Sequence, residues 1–197
     1  SVHSKQFKNW ISKQYYDVTK GVLKDDQKRD LLAVLEAKAR YEGHQQNVFL
    51  RIAGNNEKIY VDLANEKWEV VEIDKEGWRI IKDAPIKFTR GTGMHPLPNP
   101  EPNGDIKALR AFLNIAKDED WILILGWLVS SFRPTGPYLI KTFIGEQGCA
   151  KSTQSKLLRS LIDPYKAPLR VMPGTERDLF ISASKSWLQV FDNLSGI

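Results

Sequence analysis

The chain has 197 residues, 42% of them hydrophobic, enough apolar surface for one large domain or two small ones, which excludes a disordered or fibrous protein. Lysine and arginine number 29 against 24 acidic residues, a formal charge of +5 that favours polyanionic partners without requiring them. The single cysteine excludes an intramolecular disulfide and fits a reducing compartment such as the cytoplasm; the longest apolar run, residues 121–129, is well short of the roughly 20 residues that span a bilayer, and no secretory leader is recognisable, so a membrane protein is not expected.

Residues 4–43 are expected to be helical, with Phe7, Trp10, Ile11 and Tyr15 at helical spacing behind a Ser4 cap, Leu31, Leu32, Val34 and Leu35 forming a second apolar face, and Gly43 as the stop. From Val48 the period becomes two. Val48, Leu50 and Ile52, then Ile59, Val61 and Leu63, predict a hairpin turning at Gly54, Asn55 and Asn56. Residues 68–73 and 78–81, joined through Asp74 and Gly77, add two strands, and 86–89 a fifth, giving a small antiparallel sheet. Residues 90–104, with four prolines and three glycines, read as a linker. Asp105 then caps a helix with Ile106, Leu109, Phe112 and Leu113 on one face, and Asp118, Glu119 and Asp120 open the next helix, which Arg133 and Pro134 end. Residues 138–144 have the unbroken apolar character of a strand covered on both faces. A glycine-rich turn and an amphipathic helix over 151–162 follow, then a short strand at 169–172, a capping box at 175–178 before a helix to 183, and a strand at 187–191. The expected architecture is α/β: an N-terminal α+β domain over 1–89, a linker over 90–104, and over 105–197 the first part of a phosphate-loop NTPase domain with a parallel sheet and flanking helices.

The strongest chemical signal is Gly145, Glu146, Gln147, Gly148, Cys149, Ala150, Lys151 and Ser152, between an expected strand and an expected helix. Glycines let the backbone curl so that successive amides point at phosphate oxygens, the helix start adds partial positive charge, and Lys151 reaches the β- and γ-phosphates of ATP. The Ser152 hydroxyl is expected on Mg2+, and Thr153 completes the cofactor-binding set. Ala150 departs from the usual glycine before the lysine; its methyl is tolerated in a helical backbone and strained in a left-handed one. The bland alternative is a glycine turn that binds nothing. The second signal is residues 187–192, an apolar strand ending in Asp192, which at the carboxyl end of a parallel strand faces the crevice of Ser152 and holds the metal, so that Ser152 and Asp192 form the magnesium pair. Asn193 follows where many ATPases place a glutamate; it positions a water but is a poor base. Lys151, Asp192 and Asn193 are the candidate catalytic residues.

The stretches GEQGCAKST and FDNLSGI, with ERDL at 176–179, resemble the ATP-binding proteins of phages and plasmids whose helicase-like ATPase domain is often attached to a primase-polymerase. The resemblance extends upstream through LEAKARYEG, IYVDL and GPYLIKTFIGEQG. It implies a ring-forming, DNA-translocating ATPase of the AAA+ or superfamily III kind acting in replication. Lys151, Ser152 and Asp192 would then sit at the nucleotide, with an arginine from a neighbouring subunit, single-stranded DNA as partner, and a primase as a further one. Folds of that kind place a sensor strand after the aspartate-bearing strand, so the chain is expected to be a fragment with little turnover of its own.

A nucleotide-gated binding or assembly module competes with the ATPase, and Asn193 favours it; a small-molecule kinase ranks last, lacking an acceptor signature. In the N-terminal segment, Lys5, Lys8, Lys13, Tyr15, Tyr16 and Lys20 either line a single-strand path or, as is commoner, form a solvated basic face and an aromatic core face. His3, His44 and His95 are scattered and suggest no zinc site. Trp68, Trp78, Trp121, Trp127 and Trp187 are expected as core anchors.

Overall fold

Ser4 starts the first helix by accepting the Phe7 amide on its hydroxyl at 3.2 Å, the bond that a serine N-cap supplies to an otherwise orphaned donor. In the computed structural model, which describes residues 2–55 and 57–194, helix α1 runs Lys5–Thr19 and helix α2 Asp25–Tyr41. Asn56 of the expected hairpin turn and residues 195–197 of FDNLSGI lie outside the described residues. The single helix expected over 4–43 is therefore two. Thr19 bonds the Tyr15 carbonyl and accepts the Gly21 amide through its hydroxyl, local bonds that compete with the helical ladder, and Lys20 takes a left-handed φ of 57°. Gln27 and two aspartates in the first turn restart the helix. Gly43 ends it as expected: its amide returns to the Lys38 carbonyl at 3.1 Å, and a Cβ there would stand 2.5 Å from the Ala39 oxygen.

The chain forms two compact units, Ser1–Gln46 and Asn47–Ile197. In the second, β2 (Ile52–Gly54), β3 (Ile59–Asp62), β4 (Val70–Asp74) and β5 (Gly77–Ile81) make an antiparallel meander in that order. Ile52 faces Val61 and Val61 faces Val71, so one face carries the apolar residues that period two demands. Val48–Phe49 (β1) does not continue into this sheet. Arg51 has φ 45°, the strand breaks there, and β1 pairs in parallel with Lys87–Phe88 (β6). The fifth strand expected at 86–89 thus leaves the meander for β1.

The sheet shares one core with two later helices. Ile52, Val61, Leu63 and Val71 meet Trp121, Ile124 and Leu128 of α3 (Asp118–Ser130) and Leu158 and Ile162 of α4 (Lys151–Ile162). Residues 90–104, read as a linker, contain no helix or ladder strand but lie inside this unit: the Leu97 amide bonds the Leu63 carbonyl and the His95 amide that of Pro164, each at 2.9 Å. Asp105 caps Ile106–Phe112 through the Lys107 amide, and the segment is a 3₁₀ helix with Ile106 and Phe112 exposed instead of sharing a buried face. Thr175 caps α5 (Glu176–Ala183) by accepting the Asp178 amide. Of the tryptophans expected in the core, Trp121 is buried and Trp127 and Trp187, partly buried, pack against the core cluster, whereas Trp68 and Trp78 are exposed; Trp68 stacks under the Arg90 guanidinium, 3.7 Å from ring centroid to carbon.

The parallel sheet is the main correction. Residues 138–144 form no strand, and Ile140 and Ile144 are 95% and 92% exposed, the reverse of the two-sided burial that a parallel strand requires. Among the described residues the parallel pairings are β1 with β6 and one isolated bridge, Arg170 to Phe191. Residues 169–172 and 187–191 thus meet at one point, without a ladder. The architecture is mixed α/β with a small antiparallel sheet, and no helix among the described residues is long and apolar enough to cross a membrane.

Candidate functional site

Two left-handed residues bend the chain into α4. Gly148 has φ 88° and Ala150 φ 65°, so Ala150 adopts the conformation in which its methyl is strained, at about 1–2 kcal/mol. A Cβ at Gly145 would lie 2.8 Å from the Cys149 sulfur, so a larger residue there would turn the thiol aside. The Cys149 amide reaches back to the Glu146 carbonyl at 3.5 Å, and the loop closes under Lys151. Its ammonium donates to the Gly145 carbonyl at 2.7 Å and the Glu146 carbonyl at 2.6 Å, and lies 3.5 Å from Cys149 Sγ. The amides at the start of α4 have no acceptor within the helix. No acidic residue of α4 itself occupies its first turn, so the negative charge at its positive end comes from outside the helix.

Ser152 meets Asp192 across forty residues of sequence. Its hydroxyl donates to Asp192 Oδ2 at 2.8 Å, while Oδ1 accepts the Asn193 amide at 3.0 Å. Asp192 is held in place by its backbone: its amide bonds the Arg170 carbonyl at 2.9 Å, and the Arg170 amide bonds Val190 at 3.0 Å. Asn193 is left-handed, φ 56°, and exposed. The structure brings Lys151 together with Gly145, Glu146 and Cys149, and Ser152 with Asp192. Gln147 and Thr153 stand exposed beside them, and among the described residues no further carboxylate contacts Lys151 or Ser152.

The residues that fix this loop from behind are not in the sequence motifs. Gln154 is buried and accepts the Asn114 amide at 3.2 Å. At the far end of α4, Asp163 is fully buried: Oδ1 accepts Arg51 Nε at 3.0 Å and Oδ2 the Leu188 amide at 3.1 Å. Arg51, also fully buried, further donates to the carbonyls of Asp62 and His95. Burial lowers its pKa and Asp163 opposes that shift. Arg90 clasps Asp62 with two donors, and Arg159, 1% exposed, donates to the carbonyls of Asp163 and Pro168. One buried ionic cluster therefore links the meander, the end of α4 and the approach to Asp192. A polar residue in an apolar pattern was the available signal; its partner, 112 residues away in the Arg51–Asp163 pair, was not.

Residues 106–197 match the family model described as actinomycete integrative conjugative element replication protein. The match covers just under half of the chain and contains Gly145 to Ser152 and Asp192, while the helical pair and the meander lie outside it. It associates the chain with replication of a mobile element, the part of the phage and plasmid resemblance that it shares. No curated protein and no solved structure matches.

Proposed function

We propose that the chain is the nucleotide-binding part of a mobile-element replication protein, with Mg-ATP held at the loop before α4. The observation that carries this reading is the hydrogen bond from Ser152 to Asp192 at the foot of a glycine loop closed by Lys151. In a phosphate-loop site these are the groups that share the metal, and the lysine is the one that turns to the β- and γ-phosphates. Lys151 now bonds two loop carbonyls. A triphosphate offers it stronger, charged acceptors, and the amides at the start of α4 favour the same anion.

A hydroxyl and a carboxylate are hard oxygen donors suited to magnesium, which takes few protein ligands and completes its shell from phosphate and water. Among the described residues no cluster of three or more metal-ligating side chains exists, so the metal would arrive with the nucleotide. When bound it would offset charge on the phosphates. On this reading Ser152 and Asp192 would orient the metal, Lys151 would neutralise phosphate charge, and Asn193 would position a water without taking its proton. Hydrolysis on the helicase pattern would need an arginine from a neighbouring copy in a ring around DNA. A second reading, a nucleotide-gated assembly module with little hydrolysis, is favoured by Asn193 in the place of a base.

Titration with a fluorescent ATP analogue and Mg2+ tests the proposal. The chain should bind in the micromolar range and Lys151→Ala should lose at least tenfold in affinity, with an unchanged circular dichroism spectrum, because the side chain bonds only the loop. Equal affinity in the variant would overturn the site. Turnover in the parent above that of an Asp192→Asn variant would favour the ATPase over the gated module.

A further inference from the structure

Helix α1 presents aromatic rings to water. Trp10 is 54% exposed and Tyr16 53%, while Ile11 supplies the buried contact of this helix. The basic-and-aromatic segment is therefore not a solvated basic face opposite an aromatic core face: both residue types share the surface. At about 100° per residue, Trp10 and Tyr16 bound one arc of about 120°, about 9 Å apart along the axis; Lys13 and Asp17 fall between them and pair with each other at 2.9 Å, which leaves Lys20 as the cation of this arc. Phe7 stacks on Trp10 at 5.6 Å with the planes 23° apart, which steadies the indole as a platform, and Lys20 lies 5.6 Å over the Tyr16 ring.

The same helix borders a cleft of about 640 Å³ shared with α2, lined by Lys5 and Lys8 on one side and on the other by Lys28 and Arg29, each paired with a neighbouring aspartate, together with Asp25 and Glu36. Among the described residues neither Lys5 nor Lys8 forms an ion pair. Nine lysines and arginines against six acidic residues in the first 46 positions give this unit most of the net charge of the chain.

We infer that this face of α1, with the adjoining cleft, binds single-stranded DNA, bases stacking on Trp10 and Tyr16 and phosphates lying along Lys5, Lys8 and Lys20. Basic charge alone suits any polyanion, but exposed rings add affinity only for a strand whose bases are unstacked and turned outward. A duplex keeps its bases inside. The inference rests on the replication reading for its choice of DNA over RNA.

The test is fluorescence anisotropy of a labelled oligothymidylate with the full chain at low salt and without nucleotide. The chain should bind, with Trp10→Ala and Tyr16→Ala each about ten- to a hundredfold weaker, and Tyr16→Phe close to the parent because it keeps the ring. Lys20→Ala should flatten the dependence of log affinity on log salt by roughly 0.7. Both rings are exposed, and unchanged circular dichroism would show that the variants fold. Affinity unaltered by loss of either ring, absence of binding, equal competition by a duplex of the same length, or tighter binding of oligouridylate would each overturn the inference. With no nucleotide in the assay, such a failure is distinct from a failure of the phosphate loop, which the ATP titration reads separately.

Discussion

The meander β2–β5 and residues 138–150 are both rich in apolar and aromatic residues, yet one is a sheet and the other is an exposed, irregular run into a tight loop. The meander finds each partner within a few residues, across turns at Gly54 and Gly77, so its backbone groups pair locally and its inner face is buried against α3 and α4. The later stretch would need partners brought from afar. The partners it does meet are side chains, not strands: the Tyr138 ring stands edge-on to Trp187 at 5.6 Å and the Trp127 indole donates to the Leu139 carbonyl, while the bridge between residues 170 and 191 seats Asp192. Apolar composition thus predicts a strand only where the chain also supplies a neighbour to pair with. The unpaired stretch ends in the loop at which phosphate chemistry is proposed, and its shape rests on φ angles and side-chain bonds.

If the two regions are stabilised in these different ways, substitutions should separate them. The largest effect is expected at Asp163. Asp163→Ala leaves buried Arg51 without its carboxylate and the Leu188 amide without its acceptor, and should cost about 3–5 kcal/mol in chemical denaturation; a loss below about 1 kcal/mol would mean that the cluster does not hold the meander to α4. Next comes Gly54, with φ 148° and a would-be Cβ 2.1 Å from the Lys58 carbonyl oxygen. Gly54→Ala should cost more than about 1 kcal/mol, whereas Gly148→Ala, with open space around it, should cost less in stability and more in nucleotide affinity. An equal stability loss at both positions would erase the distinction.

Acid should act on the meander in a graded way. The Glu72 carboxyl is held below its ordinary range first by the Tyr60 hydroxyl and then by Lys58 and Arg79; Asp74 is lowered by the Glu76 amide and by Arg79. Groups lowered in the folded state contribute stability above their unfolded pKa and lose it as pH falls through the folded value. Denaturation midpoints should therefore fall on acidification below the ordinary carboxylate range, and Glu72→Gln should make that fall shallower. A midpoint that rises in acid would contradict the assignment. The smallest effect is expected in the loop: Ala150→Gly relieves the left-handed strain but loosens the unfolded chain, for a net gain of about 0.5 kcal/mol. A destabilisation would show that the methyl contributes packing that outweighs its strain.

Much of the local structure is legible in the residues. The Ser4, Asp105 and Thr175 caps, the Gly43 stop, the hairpins and the helix after Lys151 all follow from short-range rules; Ser152 meets Asp192 as expected, but across a single bridge and not through the parallel sheet expected to bring them together. What escaped is non-local. Nothing near Arg51 announces that a left-handed arginine will divert β1 to β6, or that its carboxylate partner stands beyond α4. Nor does tryptophan content reveal that Trp68 lies on Arg90 outside the core. The aromatic residues of α1 misled because helical spacing marks a shared face without saying whether water or protein covers it.

Hydrogen exchange of the chain with and without Mg-ATP tests the central claim most directly. The account predicts slowed exchange at amides 146–153 and around Asp192, where the backbone would turn to phosphate and metal, with the meander unchanged. Binding accompanied by protection elsewhere, with residues 146–153 unaffected, would contradict it.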